Sequence, residues 1–214
     1  MVIFRVFTVL VSALIFTCFS GCKTMEYRAY LPMYFDMSSE SNVIPDGYDS
    51  YTLFFVTSYS YPDSLGVHEI KRLNRRLKEF GKNIGKNNLV VWVGDSSKNK
   101  LSVELGKTYA DKFAKWYGSK MSYTDGPYIV YISHRPNSQP TDKDFMAYIT
   151  FANKKPKYIE EFIDYIEASI RRKEISRLGL KSKAGWIGLK SFWDNHSNDI
   201  FQLTGILINV ISRH

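Results

Sequence analysis

The chain has 214 residues, 44% hydrophobic and 15% aromatic, and Lys plus Arg exceed Asp plus Glu by 29 to 21, a net charge of +8. That length suits one domain with an extension, its apolar content excludes a disordered chain, and the lack of any fixed-period repeat excludes a solenoid. Both cysteines, Cys18 and Cys22, stand near the N-terminus, so disulfides and cysteine-metal sites are excluded beyond them and the core alone must hold the fold.

The first residues have the layout of an export signal. Arg5 precedes an apolar run from Val6 to Thr17, and Cys18-Phe19-Ser20-Gly21 leads to Cys22. A charged start, an apolar stretch of about 7–15 residues and small residues before a cut define such a signal. Read instead as an uncleaved anchor, Val6–Gly21 falls short of the roughly 20 residues that a spanning helix needs. Phe19-Ser20-Gly21-Cys22 resembles the lipobox of bacterial lipoproteins, an aliphatic and two small residues before a cysteine, with Phe19 where Leu is usual. The resemblance implies cleavage between Gly21 and Cys22, a diacylglycerol thioether on the Cys22 sulfur and acylation of its new amino group. Residues 1–21 would then be a signal peptide. Several acyl chains on one residue exceed the two signals that stable anchoring takes. Lys23, rather than the Asp that marks inner-membrane retention in enteric-type bacteria, follows the lipidated position. The resemblance thus favours the outer over the inner membrane of a bacterial envelope.

Residues 22–50 read as a tether and lead-in, because Ser38-Ser39-Glu40-Ser41-Asn42 and Pro45-Asp46-Gly47 are loop chemistry. From Tyr51 the periods become legible. Tyr51–Thr57 is a buried strand of aromatic and β-branched residues. Val67–Ile84 is a helix with Ile70, Leu73, Leu77, Phe80 and Ile84 on one stripe. Asn88–Val93 is a second strand, and Leu101–Tyr117 a second helix, with Leu101, Leu105, Tyr109, Phe113 and Trp116 inward and Gly118 just past its end. Pro127–Ser133 and Phe145–Phe151 are strands that the intervening residues allow to form a hairpin. Lys157–Lys173 is a third helix, with Ile159, Phe162, Ile163, Ile166 and Ile170 inward. Glu160 and Glu161 at its start and Arg171, Arg172 and Lys173 at its end suit the helix dipole. In residues 175–214, Trp186, Leu189 and Trp193 share one helical face, and Ile200, Leu203, Leu207 and Val210 another. This segment reads as a helical extension.

The order β-α-β-α-β-β-α predicts an α/β fold in which the first helix joins two parallel strands by a right-handed crossover. Over residues 51–174 this order resembles the thioredoxin fold, which implies a three-layer α/β/α sandwich. The resemblance assigns the redox-motif position to Trp92-Val93-Gly94-Asp95-Ser96-Ser97. It assigns the cis-proline before the third strand to Asp125-Gly126-Pro127-Tyr128. Thioredoxin chemistry needs a low-pKa thiolate at a helix N-terminus. Ser96 and Ser97 stand there instead, so no redox activity, and no cofactor, is expected.

Other chemistry has thin support. Ser96 or Ser97 as a hydrolytic nucleophile needs a base within reach, from His68, His134, His196 or His214, and no G-x-S-x-G elbow is present. Capping by Asp95, Ser96, Ser97 or Asn99 is the favoured reading. Gly106-Lys107-Thr108 mimics the end of a phosphate loop, but Leu101 occupies the position of the first glycine and the triplet falls inside a helix. The four histidines lack metal-ligand spacing. His134 beside Arg135, Asp142 and Asp144 reads as a solvated hairpin loop.

The first helix carries Lys71, Arg75, Lys78, Lys82 and Lys86 at spacings of three and four, opposite its apolar stripe. A solvated face is the simplest reading. Anionic headgroups or an acidic partner are the functional ones, with nucleic-acid phosphates least favoured outside the cytoplasm. The sequence thus predicts a membrane-tethered envelope lipoprotein, not an enzyme, whose thioredoxin-like domain binds a protein or peptide at the strand ends and the Pro127 loop. The alternatives are a structural lipoprotein that self-associates through its C-terminal extension and an envelope hydrolase using Ser96, His134, Asp95 or Asp125.

Overall fold

The computed structural model describes residues 34–63, 66–85, 87–98, 100–123, 126–152, 154–172, 179–197 and 205–212. Gly21, Cys22, Lys86, Asn99 and Asp125 lie outside them. The described residues all belong to one compact unit, Pro32–His214.

Two strands with no solvent face organise the sheet. β2 (Ser50–Phe55) and β3 (Asn88–Asp95) are buried almost throughout, as strands covered by helices on both sides must be. They pair in parallel, Ser50 opposite Asn88 and Phe54 opposite Trp92. A four-residue helix α1 (Ser60–Asp63) and the long α2 (Val67–Ile84) connect them. β5 (Tyr128–Ile132) pairs antiparallel with β2, and β6 (Phe145–Thr150) antiparallel with β5, the expected hairpin. The fold is mixed α/β.

Successive side chains on a strand point to opposite faces, and the core divides accordingly. Phe54, Trp92, Ile129, Tyr131 and Ile149 pack under α2, α4 (Pro156–Arg171) and α5 (Lys183–His196). Phe55, Val91, Val93 and Val130 pack under α3 (Val103–Tyr117) alone. Trp186, Leu189 and Trp193 are buried as their spacing predicts, and Gly118 ends α3 in the left-handed conformation. α2 and α4 lie side by side and run the same way. Arg72 pairs with Glu160 at 2.6 Å, Asn83 Nδ2 donates to Glu167 at 2.9 Å, and Arg76 joins Glu79, Asp164 and Glu167.

Four expectations need correction. Residues 22–50 are not all tether: β1 (Tyr34–Met37) extends the sheet in parallel beside β3, and Met37, Ile44 and Tyr48 are buried. Four residues with an Asp among them carry too little period to read as a strand. Leu101 belongs not to the helix but to β4 (Lys100–Leu101), a short strand on β3, and Ser102 caps α3 by accepting from the Leu105 N–H at 3.2 Å. Glu160 is not a dipole residue of the first turn; it is nearly buried and answers Arg72. The end of the chain is a strand: β7 (Leu207–Ser212) pairs antiparallel with β6, Thr150 opposite Leu207. Leu203, Leu207 and Val210 fit a helical spacing, but Ile206 and Ile208 are buried while Leu207 is 59% exposed, the alternation of a strand. The sheet order is β1-β3-β2-β5-β6-β7.

α3 approaches the end of β2 closely, and Gly106 permits it. A Cβ on Gly106 would lie 1.9 Å from the Val56 carbonyl oxygen, backbone that cannot rotate away. Gly106→Ala is expected to cost about 1–3 kcal/mol of stability through overpacking, read as a lower denaturant midpoint. An unchanged midpoint would show that α3 is free to back off the sheet.

Candidate functional site: an aromatic and lysine face beside Pro127

β5 begins beside the C-terminal end of β2, Tyr128 opposite Phe55. The Gly126–Pro127 bond is cis. Gly126 abuts Thr57, with 3.0 Å between a notional Gly126 Cβ and Thr57 Oγ1. Thr57 Oγ1 and Tyr128 Oη both donate to the Ser122 carbonyl, at 3.2 and 2.8 Å, which pins the segment before β5 to the end of β2. Pro127 itself is buried. At this end Tyr59, 56% exposed, and Tyr123, 45% exposed, show their rings to solvent.

Lys107 lies between those two rings. Its Nζ is 4.6 Å from the Tyr59 centroid and 5.5 Å from that of Tyr123, within cation–π range. Both phenols are tied to α3. Tyr59 donates to Glu104 Oε1 at 2.7 Å and Tyr123 donates to Asp111. Each hydrogen bond raises its phenol's pKa, and the Tyr59 bond lowers that of Glu104. Sequence reasoning rejected Gly106-Lys107-Thr108 as a phosphate loop. Here the triplet supplies close packing, the cation between two rings, and a hydroxyl that donates to the Glu104 carbonyl at 3.1 Å and to Glu40 Oε1 at 3.2 Å. Tyr59 and Tyr123 carried no periodic signal, so only their neighbourhood in space reveals them.

Ser96 and Pro127 are not brought together. Ser96 Oγ donates to Asp36 Oδ2 at 2.7 Å, on β1 at the sheet's edge. Asp36 also accepts from Tyr34 Oη at 3.0 Å, and Tyr34 accepts from Asn74. Burial drives the Tyr34 phenol's pKa upward. Ser97 and Lys98 bond Asp95 and hold its carboxyl at about 2. Both serines are engaged in turn and edge contacts. The end of β5 lies at the start of β2, so His134 is at the opposite end of the sheet from Ser96 and the two form no dyad.

His134 is not a solvated loop residue. Its ring is half-buried, 5.8 Å from both Trp116 and Tyr117, and Nδ1 is 2.8 Å from the Arg135 carbonyl. Arg135 is tied to Asp46 at 2.8 Å and to the Ile44 carbonyl, and Asp144 accepts from Thr141 and Ser133. Asp142 is exposed. Among the described residues, no three His, Cys, Asp or Glu side chains gather to hold a metal ion.

Along α2, Lys71, Arg75 and Lys82 are exposed, while Lys78 turns inward and sets its Nζ 3.7 Å from the Tyr34 ring centroid. No described helix is long and apolar enough to cross a membrane. Against known proteins, the sequence matches no family model, no curated protein and no solved structure.

Burial pushes the His134 imidazole below its ordinary pKa, against the pull of Asp144. The unfolded chain therefore takes up a proton at His134 more readily than the folded one. Stability is expected to fall as pH drops from about 7.5 through the ordinary histidine value near 6.5. The lowered pKa of Asp144 acts only in a more acidic range. His134→Phe should flatten the slope between about pH 7 and 5.5, measured by denaturant unfolding. An unchanged slope would assign the proton uptake elsewhere.

Proposed function

We propose that this chain is a lipid-anchored bacterial envelope protein whose thioredoxin-like, redox-inactive domain binds a protein or peptide at the face formed by Tyr59, Lys107 and Tyr123. The observation that carries the reading is that face. Two exposed tyrosines and a lysine are held by hydrogen bonds and cation–π contacts at the strand ends, beside the Pro127 turn. Tyrosines fixed in place offer a partner large amphipathic surface at little entropic cost.

The strand order β3-β2-β5-β6, with its first pair parallel and the next two antiparallel, supports the thioredoxin-like reading, as do helices on both faces and Pro127 at the start of β5. The serines at 96 and 97, engaged with Asp36 and Asp95, support the absence of redox chemistry. The anchor rests on Phe19-Ser20-Gly21-Cys22. Binding at this face does not require Ser96, which turns to Asp36.

Two measurements test the two halves separately. The native protein should fractionate with membranes, begin at Cys22 and carry added acyl mass, while Cys22→Ser carries none; an intact chain retaining Met1 would remove the anchor. A photo-crosslinking residue at Tyr59 or Tyr123, in the envelope of living cells, should give a discrete protein adduct that Lys107→Glu abolishes. The same probe at exposed Asn195 on α5 should give none. No adduct at either tyrosine, or equal adducts at Asn195, would overturn the binding face.

A further inference from the structure

The other end of the sheet differs in its chemistry. β1 runs parallel to β3 with Tyr34 opposite Val90, so the described chain enters beside the N-terminal ends of β2 and β3. α2 carries the chain back from the end of β2 to the start of β3, and α4 runs alongside it. The last turns of both helices therefore lie at this same entry end. They bring exposed Lys82 and Arg171 to one cleft of about 280 Å³, with Glu79, Asn83, Glu167 and Ile170.

More cations join them from the next connection. A Cβ on Gly85 would meet Lys181 Cε at 2.3 Å, so the Lys181 side chain runs over the end of α2, and Lys183 opens α5 directly after. Of the acidic groups at this end, Asp142 on the β5–β6 turn is exposed, and the others have partners. Glu79 and Glu167 pair with Arg76, Asp46 with Arg135, and Asp49 accepts from Asn87 at 2.9 Å. Among the described residues, no ion pair holds Lys82, Arg171, Lys181 or Lys183.

We infer that this pole, with Lys82, Arg171 and Lys181 at its centre, docks on anionic phospholipid headgroups and turns the Tyr59–Tyr123 face away from the membrane. The inference rests on the proposed anchor in one respect: the tether comes from Cys22. Eleven residues separate Cys22 from Tyr34, at most about 40 Å of extended chain. That span bounds how far the domain can stand from the surface, and the cations at the entry end supply its orientation. A soluble phosphate would meet the same side chains; the proposed anchor, which puts the domain at a membrane surface, favours headgroups. The basic stripe of α2 divides accordingly. Lys82 belongs to the pole, while Lys71 and Arg75 stand towards the opposite end.

The test uses the full chain as Cys22→Ser, which removes acylation, co-sedimented with phosphatidylcholine vesicles with and without about one-third phosphatidylglycerol. The N-terminal segment and its cations Arg5, Lys23 and Arg28 are common to all variants, so the difference between variants in phosphatidylglycerol dependence isolates the pole. Each near-surface cation changes partition by about fivefold. The triple variant Lys82→Gln, Arg171→Gln, Lys181→Gln should therefore lower the phosphatidylglycerol-dependent partition by on the order of 100-fold, and Lys71→Gln with Arg75→Gln should leave it. About 1 M salt, where the screening length is roughly 3 Å, should abolish the phosphatidylglycerol-dependent part of the wild-type partition. Equal partition to both vesicle types, an unaffected triple variant, or loss in the Lys71/Arg75 variant instead would each overturn the proposal. Circular dichroism melts of the triple variant keep unfolding apart from lost charge, and the salt arm shows that the binding is electrostatic. Absence of acyl mass on the native protein would remove the anchor and leave this result standing.

Discussion

Everything in the domain follows from the need to cover β2 on both faces. From Ser50 to Thr57 every residue is buried, so neither side of the strand is exposed to water, and one helix layer could not suffice. The strand's polar groups are satisfied within that enclosure. Ser50 Oγ and Thr52 Oγ1 both donate to Asn88 Oδ1 on the neighbouring strand, each at 3.0 Å. A buried hydroxyl left without a partner costs about 1–3 kcal/mol. Asn88 thus helps to hold the β2–β3 register as well as opening the second strand. With that pair set, α2, α4 and α5 close one face and α3 the other, and Gly106 lets α3 sit against the backbone at Val56.

The same constraint separates the two ends of the molecule. A parallel pair puts both strand ends, and the turns that follow them, at one end of the sheet. The crossover helix must return its C-terminus to the other. Tyr59, Lys107 and Tyr123 gather at the first end because α1, the start of α3 and the approach to β5 all converge there. Lys82, Arg171 and Lys181 gather at the second because two parallel helices finish there and α5 begins. The aromatic face and the cationic face thus lie at opposite ends, and the proposed partner binding and membrane docking rest on one each.

The basic residues of α2 and α4 show how sequence and structure divide the explanation. A run of cations at helical spacing, Lys71, Arg75, Lys78, Lys82 and Lys86, is visible in the sequence with Arg72 and Arg76 beside it, and the described side chains do three different things. Arg72 and Arg76 knit α2 to α4 through carboxylates some 88 positions away in sequence. Lys78 covers the Tyr34 ring. Lys82 remains free for a partner outside the described chain. Spacing identifies a face, and only the packed neighbour decides whether that face is solvent, seam or site. His134 makes the same point in reverse. It reads as loop chemistry, yet it is enclosed by Trp116 and Tyr117 because the end of α3 folds against the turn after β5.

The sequence by itself determined the elements with long, one-sided or fully apolar patterns: the four central strands, α2, α3, α4 and the Trp186–Trp193 helix, and from their order an α/β sheet with a parallel crossover. Those patterns are local, and burial of a stripe or a strand leaves a period that survives without knowledge of the partner. Only the tertiary structure decided that Tyr34–Met37 and Leu207–Ser212 are edge strands, that Ser96 turns to Asp36, and that Tyr59 meets Tyr123 across Lys107. A short edge strand draws its conformation from the hydrogen bonds its neighbour offers rather than from its own residues. A surface site is assembled from positions that the chain brings together only after folding.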